Sequence, residues 1–395
     1  MNIVCLFLSF NGIGNDRGMY GDLVCEIANR GHKVYVIAAS KNNRSGIERL
    51  GNISICWVNS IKLLNVGFIT KAVANLLLPF LFLSASKSFL PEKIDLVVSP
   101  TPPITLTNII GKIKKKRGAS FFLILRDIFP QNAVDLKLMS SNSFIFKYFR
   151  KQEKKLYNLA DTIGCMSPGN VNYLLKHNPE INPEKTTILP NWVDTKKKNV
   201  QGLSTFMEEN NLEGKFIAVF GGNLGIAQNP QNVVDLAEVH KEKKDLIFLI
   251  IGKGTYKKRI EESIKQKKLD NIILADHLPR DEFEALASKC NVGIVSLNGS
   301  FTIPNIPSRT LGYWQASLPV FAIVDKHTDL GVNVIDRFKG GLWCIEGDKE
   351  KYKELFEMLY NNKELAEEMG RNGYKALREE FNASKAVDIL FNKNL

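Results

Sequence analysis

Short apolar runs alternate with stretches of helical periodicity along almost the whole chain. Residues 2–9 are nearly continuously apolar, the pattern of a strand covered on both faces. A glycine-containing loop over 10–18 leads into a helical pattern at 19–30. That pattern stops at Gly31, a residue suited to a left-handed helix end. Further strands are predicted at 32–38, 53–58, 96–99, 121–125 and 162–166, with helices at 105–117, 144–158 and 169–177. Ser167-Pro168 supplies a cap and a first-turn proline for the last helix. After an apolar run at 187–189 the chain turns polar and lysine-rich over 195–204, the composition of a linker.

Beyond the linker the pattern restarts. A strand at 216–220 runs into Gly221-Gly222 and a helix follows at 230–240. A strand at 246–251 runs into Gly252-Lys253-Gly254 and a helix follows at 256–267. Strands at 272–274, 292–296 and 319–323 continue the series, and 349–395 is mostly helical in pattern. Strands alternating with helices predict parallel sheets with right-handed crossovers. Two such series predict an α/β chain of two Rossmann-like domains. Ligands of such sheets bind beyond the carboxyl ends of the strands, so the expected site lies between the two domains.

Composition narrows the class. The chain has 395 residues, too many for one ordinary core. With 44% hydrophobic and 24% charged residues it is neither disordered nor fibrous. Lys and Arg number 53 against 41 Asp and Glu, and the resulting net charge of +12 is spread thinly as lysines. Such an excess predicts an anionic partner: a phosphorylated ligand, an acidic membrane or a nucleic acid. Cys5, Cys25, Cys56, Cys165, Cys290 and Cys344 lie far apart without a CxxC, which gives no zinc or disulfide pattern and favours a reducing cytoplasm. The apolar start lacks a basic region and a cleavage site, and reads as a buried strand instead of a signal peptide. The most apolar stretch, 72–86, is short for a membrane span and contains Pro79.

Candidate chemistry gathers at predicted strand ends. Asn11-Gly12-Ile13-Gly14-Asn15 follows the first strand, where Gly14 allows close backbone approach to an anion; the same residues also make a tight strand-to-helix turn. Ser99-Pro100-Thr101-Pro102-Pro103 reads as a structural turn, with Thr105 as a cap for the next helix. Arg126 and Asp127 directly follow the apolar FFLIL strand, where a charged pair is costly unless it is used or paired; a salt bridge within the fold is the alternative. Pro130 disfavours helix at Phe129, so this segment is expected to stay extended or turned. Gly222, Asn223, Gly225 and Gln228 form a turn suited to a diphosphate, and Gly252-Lys253-Gly254 offers Lys253 to a phosphate. Ser308 is read as a helix cap with Arg309 in the first turn, an anion site at the positive end of a helix over 310–315. Lys112, Lys114, Lys115, Lys116 and Arg117 end a predicted helix downstream of the apolar segment 61–90. Both suit docking on an anionic bilayer, and the lysines equally suit a solvated helix end. Aromatic-basic motifs for nucleic acid are lacking.

The ordered set Arg126-Asp127…Pro130, Ser167-Pro168-Gly169, Pro190-Asn191-Trp192-Val193-Asp194, Gly222-Asn223-Leu224-Gly225…Gln228, Gly252-x-Gly254 and Pro307-Ser308-Arg309…Tyr313 resembles glycosyltransferase family 4 over nearly the whole chain. Within it the chain is most similar to the bacterial O-antigen branch that includes L-fucosamine (FucNAc) transferases. The resemblance implies a GT-B fold of two Rossmann-like domains facing each other. The first would be residues 1–195, on the acceptor and membrane side, joined by a last helix crossing back at about 380–395. The second, residues 196–379, would hold the donor. It also implies retention at the anomeric carbon with no metal ion and no cofactor beyond a nucleotide-sugar donor, UDP-linked. Two glutamates common in the family, the second on the ribose, correspond to Pro304 and Gly312 here. The usual diphosphate arginine and lysine correspond to Asn223 and Gln228, and a usual histidine to Arg126.

The expectation is therefore a metal-independent, retaining glycosyltransferase of the hexosyltransferase type. It would be cytoplasmic and peripheral on the inner face of the cell membrane. It would move an N-acetylated deoxyhexosamine such as FucNAc from a nucleotide diphosphate to a lipid-linked saccharide in O-antigen assembly. Asp127 and Arg126 are the expected catalytic pair. Gly14, Gly222, Asn223, Gly225, Gln228, Gly252, Lys253, Ser308 and Arg309 are the expected donor contacts. The alternatives are a nucleotide-sugar epimerase of the same architecture, for which only Asp127 is well placed as an acid-base carboxylate, and a catalytically degenerate nucleotide-sugar-binding protein.

Overall fold

The computed structural model describes residues 1–14, 17–40, 45–59, 68–195 and 204–392. Asn15 of the first loop, the start of the apolar segment at 61–67 and nearly all of the lysine-rich linker lie outside the described residues. The chain forms two compact units, Met1–Pro190 with Ala383–Leu395, and Asn191–Asn382.

The first unit is built on β1 (Asn2–Phe7), β2 (Lys33–Ser40), β3 (Gly46–Leu50), β4 (Ile53–Asn59), β5 (Leu96–Pro100), β6 (Ser120–Leu125), β7 (Thr162–Cys165) and β8 (Thr186–Ile188). Their order is β3-β4-β2-β1-β5-β6-β7-β8. All neighbours are parallel except β3, which runs antiparallel to β4. β1, β5 and β6 are almost wholly buried, as continuous apolar runs demand of strands covered on both faces. The helices are α1 (Gly18–Asn29), α2 (Phe68–Phe89), α3 (Thr107–Arg117), α4 (Gln131–Asp135), α5 (Phe144–Leu159) and α6 (Pro168–His177). Ser167 caps α6, accepting from the Asn170 N–H at 3.1 Å, with Pro168 in the first turn as the sequence implies. Thr105 does not cap α3: that helix starts at Thr107, and its N-cap Leu106 offers no side-chain acceptor. α2 continues through Pro79, because Leu78 and Phe82 are completely buried and tertiary packing outweighs the proline. Among the described residues no helix is long and apolar enough to cross a membrane.

The second unit is built on β9 (Phe216–Asn223), β10 (Leu246–Lys253), β11 (Ile272–Ala275), β12 (Val292–Ser296), β13 (Val320–Val324) and β14 (Gly341–Ile345), in the order β11-β10-β9-β12-β13-β14 and parallel throughout. Its helices are α7 (Ser204–Glu209), α8 (Gln231–Val239), α9 (Lys257–Lys267), α10 (Arg280–Ala287), α11 (Arg309–Gln315), α12 (Lys349–Asn361) and α13 (Lys363–Glu380). One core side gathers Phe248, Phe321 and Phe356 around edge-on and tilted ring contacts at 5.3 Å. The chain then returns: α14 (Ala383–Asn392) packs on α1 in the first unit. Arg30 donates to Asp388 at 2.6 Å and to the Ser384 carbonyl at 2.8 Å, while Val387 and Leu390 are fully buried.

Strand order reverses between β9 and β12, and between β1 and β5. In open parallel sheets such reversals open a crevice at the carboxyl ends of the strands. At the second unit's crevice β9 and β10 run further than the apolar pattern implies, pairing Gly252 with Gly222 and Lys253 with Asn223. Gly252 is needed there by contact. A Cβ on it would stand 1.9 Å from the Gly222 carbonyl oxygen, and one on Gly254 would stand 2.4 Å from that of Leu224. Gly252→Ala is expected to cost about 1–3 kcal/mol through forced strand separation. Calorimetry of the purified chain should show a lowered melting transition, and an unchanged one would mean that the backbone approach does not dictate glycine here.

Candidate functional site

The turn after β9 is shaped by glycines and amides. Gly222 holds φ at +122°, a conformation that disfavours any side chain. Asn223 is exposed and its Nδ2 donates to Gln228 Oε1 at 3.0 Å, closing the turn through a short 3-10 segment, Ile226–Gln228. Gly225 has ordinary extended backbone, φ −114°, and a Cβ on it would meet only the movable Asn223 amide, at 2.8 Å, so neither its backbone nor a fixed neighbour dictates glycine there. Leu224 then threads past β10, its N–H donating to the Lys253 carbonyl at 3.0 Å and its carbonyl accepting from Tyr256 at 2.9 Å. This crossing accounts for Gly252 and Gly254 without a ligand. The Lys253 side chain is left exposed at the end of β10.

Arg309 comes to this turn from elsewhere in the chain. Its guanidinium lies over the Phe220 ring, 4.4 Å from the centroid, and its Nη2 is 3.2 Å from where a Gly222 Cβ would stand. Its Nη1 is enclosed and, among the described residues, has no hydrogen-bond partner. Burial holds the guanidinium below its ordinary range, with Tyr313 opposing that shift. Tyr313 is buried on the same short helix, and its hydroxyl accepts from the Gly221 N–H at 3.0 Å. Its ring occupies the space that a Gly293 side chain would fill in β12. Ser308 stands at the start of α11 but in helical backbone, with no cap hydrogen bond and an exposed side chain. The serine cap expected from the sequence is therefore absent, because the preceding loop already carries Ser308 in helical geometry. Gly312 borders open space, and a Cβ on it would meet nothing within 4 Å.

Glu346, which sequence reasoning missed, ties this crevice together. Its Oε1 accepts from the side-chain amides of Asn229 and, at 3.0 Å, Asn232, and its Oε2 accepts from the Gly299 N–H. Ser296 completes the network, donating to the Asn229 carbonyl at 2.9 Å and accepting from Asn232 at 3.0 Å. Asn298 anchors the 3-10 segment through its backbone N–H on Ala227 at 2.9 Å and its amide on Ile226 at 3.1 Å. Glu346 directly follows β14, as Asp127 follows β6 by two residues. The strand-end rule that singled out Asp127 finds Glu346 only once β14 is known, and the sequence pattern predicts no strand there.

In the first unit Arg126 and Asp127 part company. Arg126 is buried, and its guanidinium donates to the Leu189 and Pro190 carbonyls at 3.3 Å each and to the Tyr20 hydroxyl. Its backbone N–H donates to Thr101 at 3.0 Å. Burial brings the guanidinium down to about 10, against the pull of Tyr20 and Asp127. The chain's own carbonyls thus engage both terminal nitrogens of the guanidinium. Tyr20, stacked on Phe7 at 4.8 Å, is the partner that the sequence did not reveal. The protein around Asp127 pushes its carboxyl upward, against the opposing charge of Arg126, yet the residue is exposed and solvent access tempers that shift. The segment from Arg126 to Pro130 stays out of helix until α4, as the proline implies. A Cβ on Gly14 would meet nothing within 4 Å, so the structure gives no steric reason for glycine there. Among the described residues no group of three or more His, Cys, Asp or Glu side chains is placed to hold a metal ion.

Residues 20–197 match the family model described as Glycosyltransferase Family 4, and residues 204–376 match that described as Glycosyl transferases group 1. The chain is 22% identical over 293 residues to the Probable glycosyltransferase WbjE of Pseudomonas aeruginosa, spanning 74% of this chain and 72% of that protein. Its fold is similar to WaaG, a glycosyltransferase involved in lipopolysaccharide biosynthesis, with a TM-score of 0.68 at 13% identity over 98% of this chain and 99% of that one. It is also similar to the structure described as trehalose-6-phosphate from E. coli bound with UDP-2-fluoro glucose, with a TM-score of 0.74 at 9% identity over 100% and 99% of the two chains. These likenesses show a GT-B fold of two Rossmann-like parallel-sheet domains.

Tyr313→Phe keeps the ring against Gly293 and removes only the acceptor of the buried Gly221 N–H. A loss of about 1–3 kcal/mol is expected in urea denaturation. An unchanged midpoint would mean that this hydrogen bond does not fix the end of β9.

Proposed function

We propose that this chain, two glycosyltransferase domains in one polypeptide, transfers a sugar from a nucleotide diphosphate to a lipid-linked saccharide during assembly of a surface polysaccharide such as O-antigen. One observation carries the reading: the enclosed, unpartnered Arg309 Nη1 beside the positive-φ Gly222, at the strand-order reversal of the second sheet. A guanidinium nitrogen kept from water beside open backbone suits a diphosphate, which returns the hydrogen bond that burial removed. A UDP-linked donor is supported by the UDP-2-fluoro glucose in a neighbour of the same fold. A polysaccharide role is supported by the lipopolysaccharide role of WaaG. The proposed sugar, an N-acetylated deoxyhexosamine such as FucNAc, rests on the motif resemblance alone.

The proposed chemistry is retaining and needs no metal ion. The acceptor hydroxyl forms its bond to the anomeric carbon on the face from which the diphosphate departs. As the bond from the anomeric carbon to the departing diphosphate oxygen breaks, a diphosphate oxygen takes the hydroxyl proton. The protein's task is then to hold charge on the leaving group. Arg309 and the N–H groups of the Gly222–Gly225 turn supply that, with Lys253 as a second cation. Asp127, exposed beyond β6 and steadied by the Arg126 scaffold, orients the acceptor hydroxyl or a sugar hydroxyl. The lysine-rich surface suits a pyrophosphate-linked lipid and the anionic inner leaflet, with the chain peripheral to it.

Turnover of a panel of nucleotide sugars against a polyprenyl-pyrophosphate-linked saccharide tests the reading, and a lack of transfer with every one of them would sink it. Arg309→Ala is expected to weaken nucleotide-diphosphate affinity by about 1.5–3 kcal/mol, roughly 10- to 150-fold, in titration calorimetry; unchanged affinity removes Arg309 from the donor site. Asp127→Asn is expected to lower turnover about a hundredfold or more with the melting temperature unmoved. A large drop in melting temperature with near-normal turnover would assign Asp127 to structure.

A further inference from the structure

α2, α3 and α5 of the first unit enclose a groove of about 420 Å3 whose residues the reaction proposed above does not use. Phe80 and Leu83 line it from α2, Ile109 and Lys112 from α3, and Tyr148 and Lys155 from α5. None of its lining residues is acidic. Lys112 and Lys155 are exposed, and among the described residues neither has an ion-pair partner. Two of the helices that form the groove also carry large apolar side chains in water. Phe80 is 71% exposed, and at the start of α5 Phe144 is 90% exposed, next to the exposed Ile145. Lys147 and Lys151 are exposed further along α5.

The basic stretch at the end of α3 divides by contact. Lys114 is taken up by Asp161 at 2.5 Å and by the Leu159 carbonyl at 2.9 Å. Arg117 is taken up by the Leu90 and Pro91 carbonyls. Lys112 is the member of that stretch that turns to the groove.

We propose that this groove seats an anionic phospholipid of the bilayer, with its phosphate on Lys112 and Lys155, its hydrocarbon against Leu83, Ile109 and Tyr148, and Phe80 and Phe144 inserted at the interface. Charge complementarity selects the occupant. Two unpaired cations at the mouth of an apolar groove match a phosphate carried on a hydrocarbon chain, and exposed aromatic side chains beside lysines match the headgroup boundary. A soluble phosphate would leave the apolar walls wet, and a neutral lipid would leave the lysines unanswered. The proposal deepens, and rests on, the reading that the acceptor is lipid-linked, since it brings the first unit to the surface where such an acceptor resides.

Vesicle sedimentation tests it with the full chain and no sugar donor present. Wild type is expected to pellet with phosphatidylcholine vesicles containing phosphatidylglycerol and to remain in solution with phosphatidylcholine alone. Lys112→Glu with Lys155→Glu should weaken that binding roughly tenfold or more, since each basic residue near an anionic leaflet contributes measurably. Phe80→Ser should weaken it even at low salt, whereas Lys258→Glu, an exposed lysine of the second unit, should leave it unchanged. The substituted side chains are all exposed, so the melting temperature should hold. Phe80→Trp adds a second readout: quenching by brominated acyl chains above the wild-type level. Failure to pellet with acidic vesicles overturns the proposal, as does binding by the groove variants equal to wild type or equally reduced by Lys258→Glu. Vesicle binding without any sugar turnover would sink the transferase reading and leave the groove; turnover on a water-soluble acceptor without vesicle binding would do the reverse.

Discussion

A half-buried guanidinium laid on an aromatic ring sets the terms for the end of the second sheet. Arg309 rests on Phe220, and the glycine beyond leaves room for that seat: a Cβ on Gly222 would stand 3.2 Å from the guanidinium, and one on Gly221 would run into the Phe283 ring. The absence of side chains weakens a strand, so the end of β9 is fixed by other means. Tyr313 takes the Gly221 N–H from one side, and β10 closes on Gly222 from the other through Gly252. Tyr313 in turn needs Gly293 beneath its ring. A charge, a tyrosine and four glycines from three strands thus form one steric arrangement, and no member of it can be changed in size without moving another.

The fold was legible where burial writes a continuous pattern. β1, β5, β6, β12 and β13 are covered on both faces, so their apolar runs name them without reference to neighbours, whereas the half-exposed edge strand β14 left no such run to read. β3 was not legible: Gly46–Leu50 lies at an edge with Ile47 and Leu50 largely exposed, and its short GIERL run carries no inward stripe to read. α2 was obscured by Pro79, whose local penalty is overcome by packing that no local window contains.

The site was legible as a set of places more than as a set of roles. Glycines and amides after β9, and Arg309 after its loop, announce themselves by type and position. What each does depends on contacts made across long stretches of sequence. Arg126 looks free beside Asp127 in the sequence. In space it is spent on carbonyls 63 and 64 residues further along. Gly252 reads as part of a phosphate turn, yet the carbonyl of Gly222 already explains it. Ser308 has the right type for a cap and the wrong backbone for one. Residue type limits what a position can do, and only tertiary geometry decides which of those things it does.

The Glu346 carboxylate has a consequence for how this chain can vary. It receives Asn229 from the segment leading into α8, Asn232 from the first turn of α8 and Gly299 from the loop after β12, while standing itself just beyond the edge strand β14. Separate segments therefore share one acceptor, which lies 117 and 114 residues along the chain from the two asparagines. Substitutions at these positions will not act independently, because losing any one donor changes what the carboxylate can offer the others. A variant loop that is harmful alone can be neutral beside a matching change at Glu346. The crevice is thus free to drift only along correlated paths, and its sequence history should read as covarying sets of residues instead of single invariant ones.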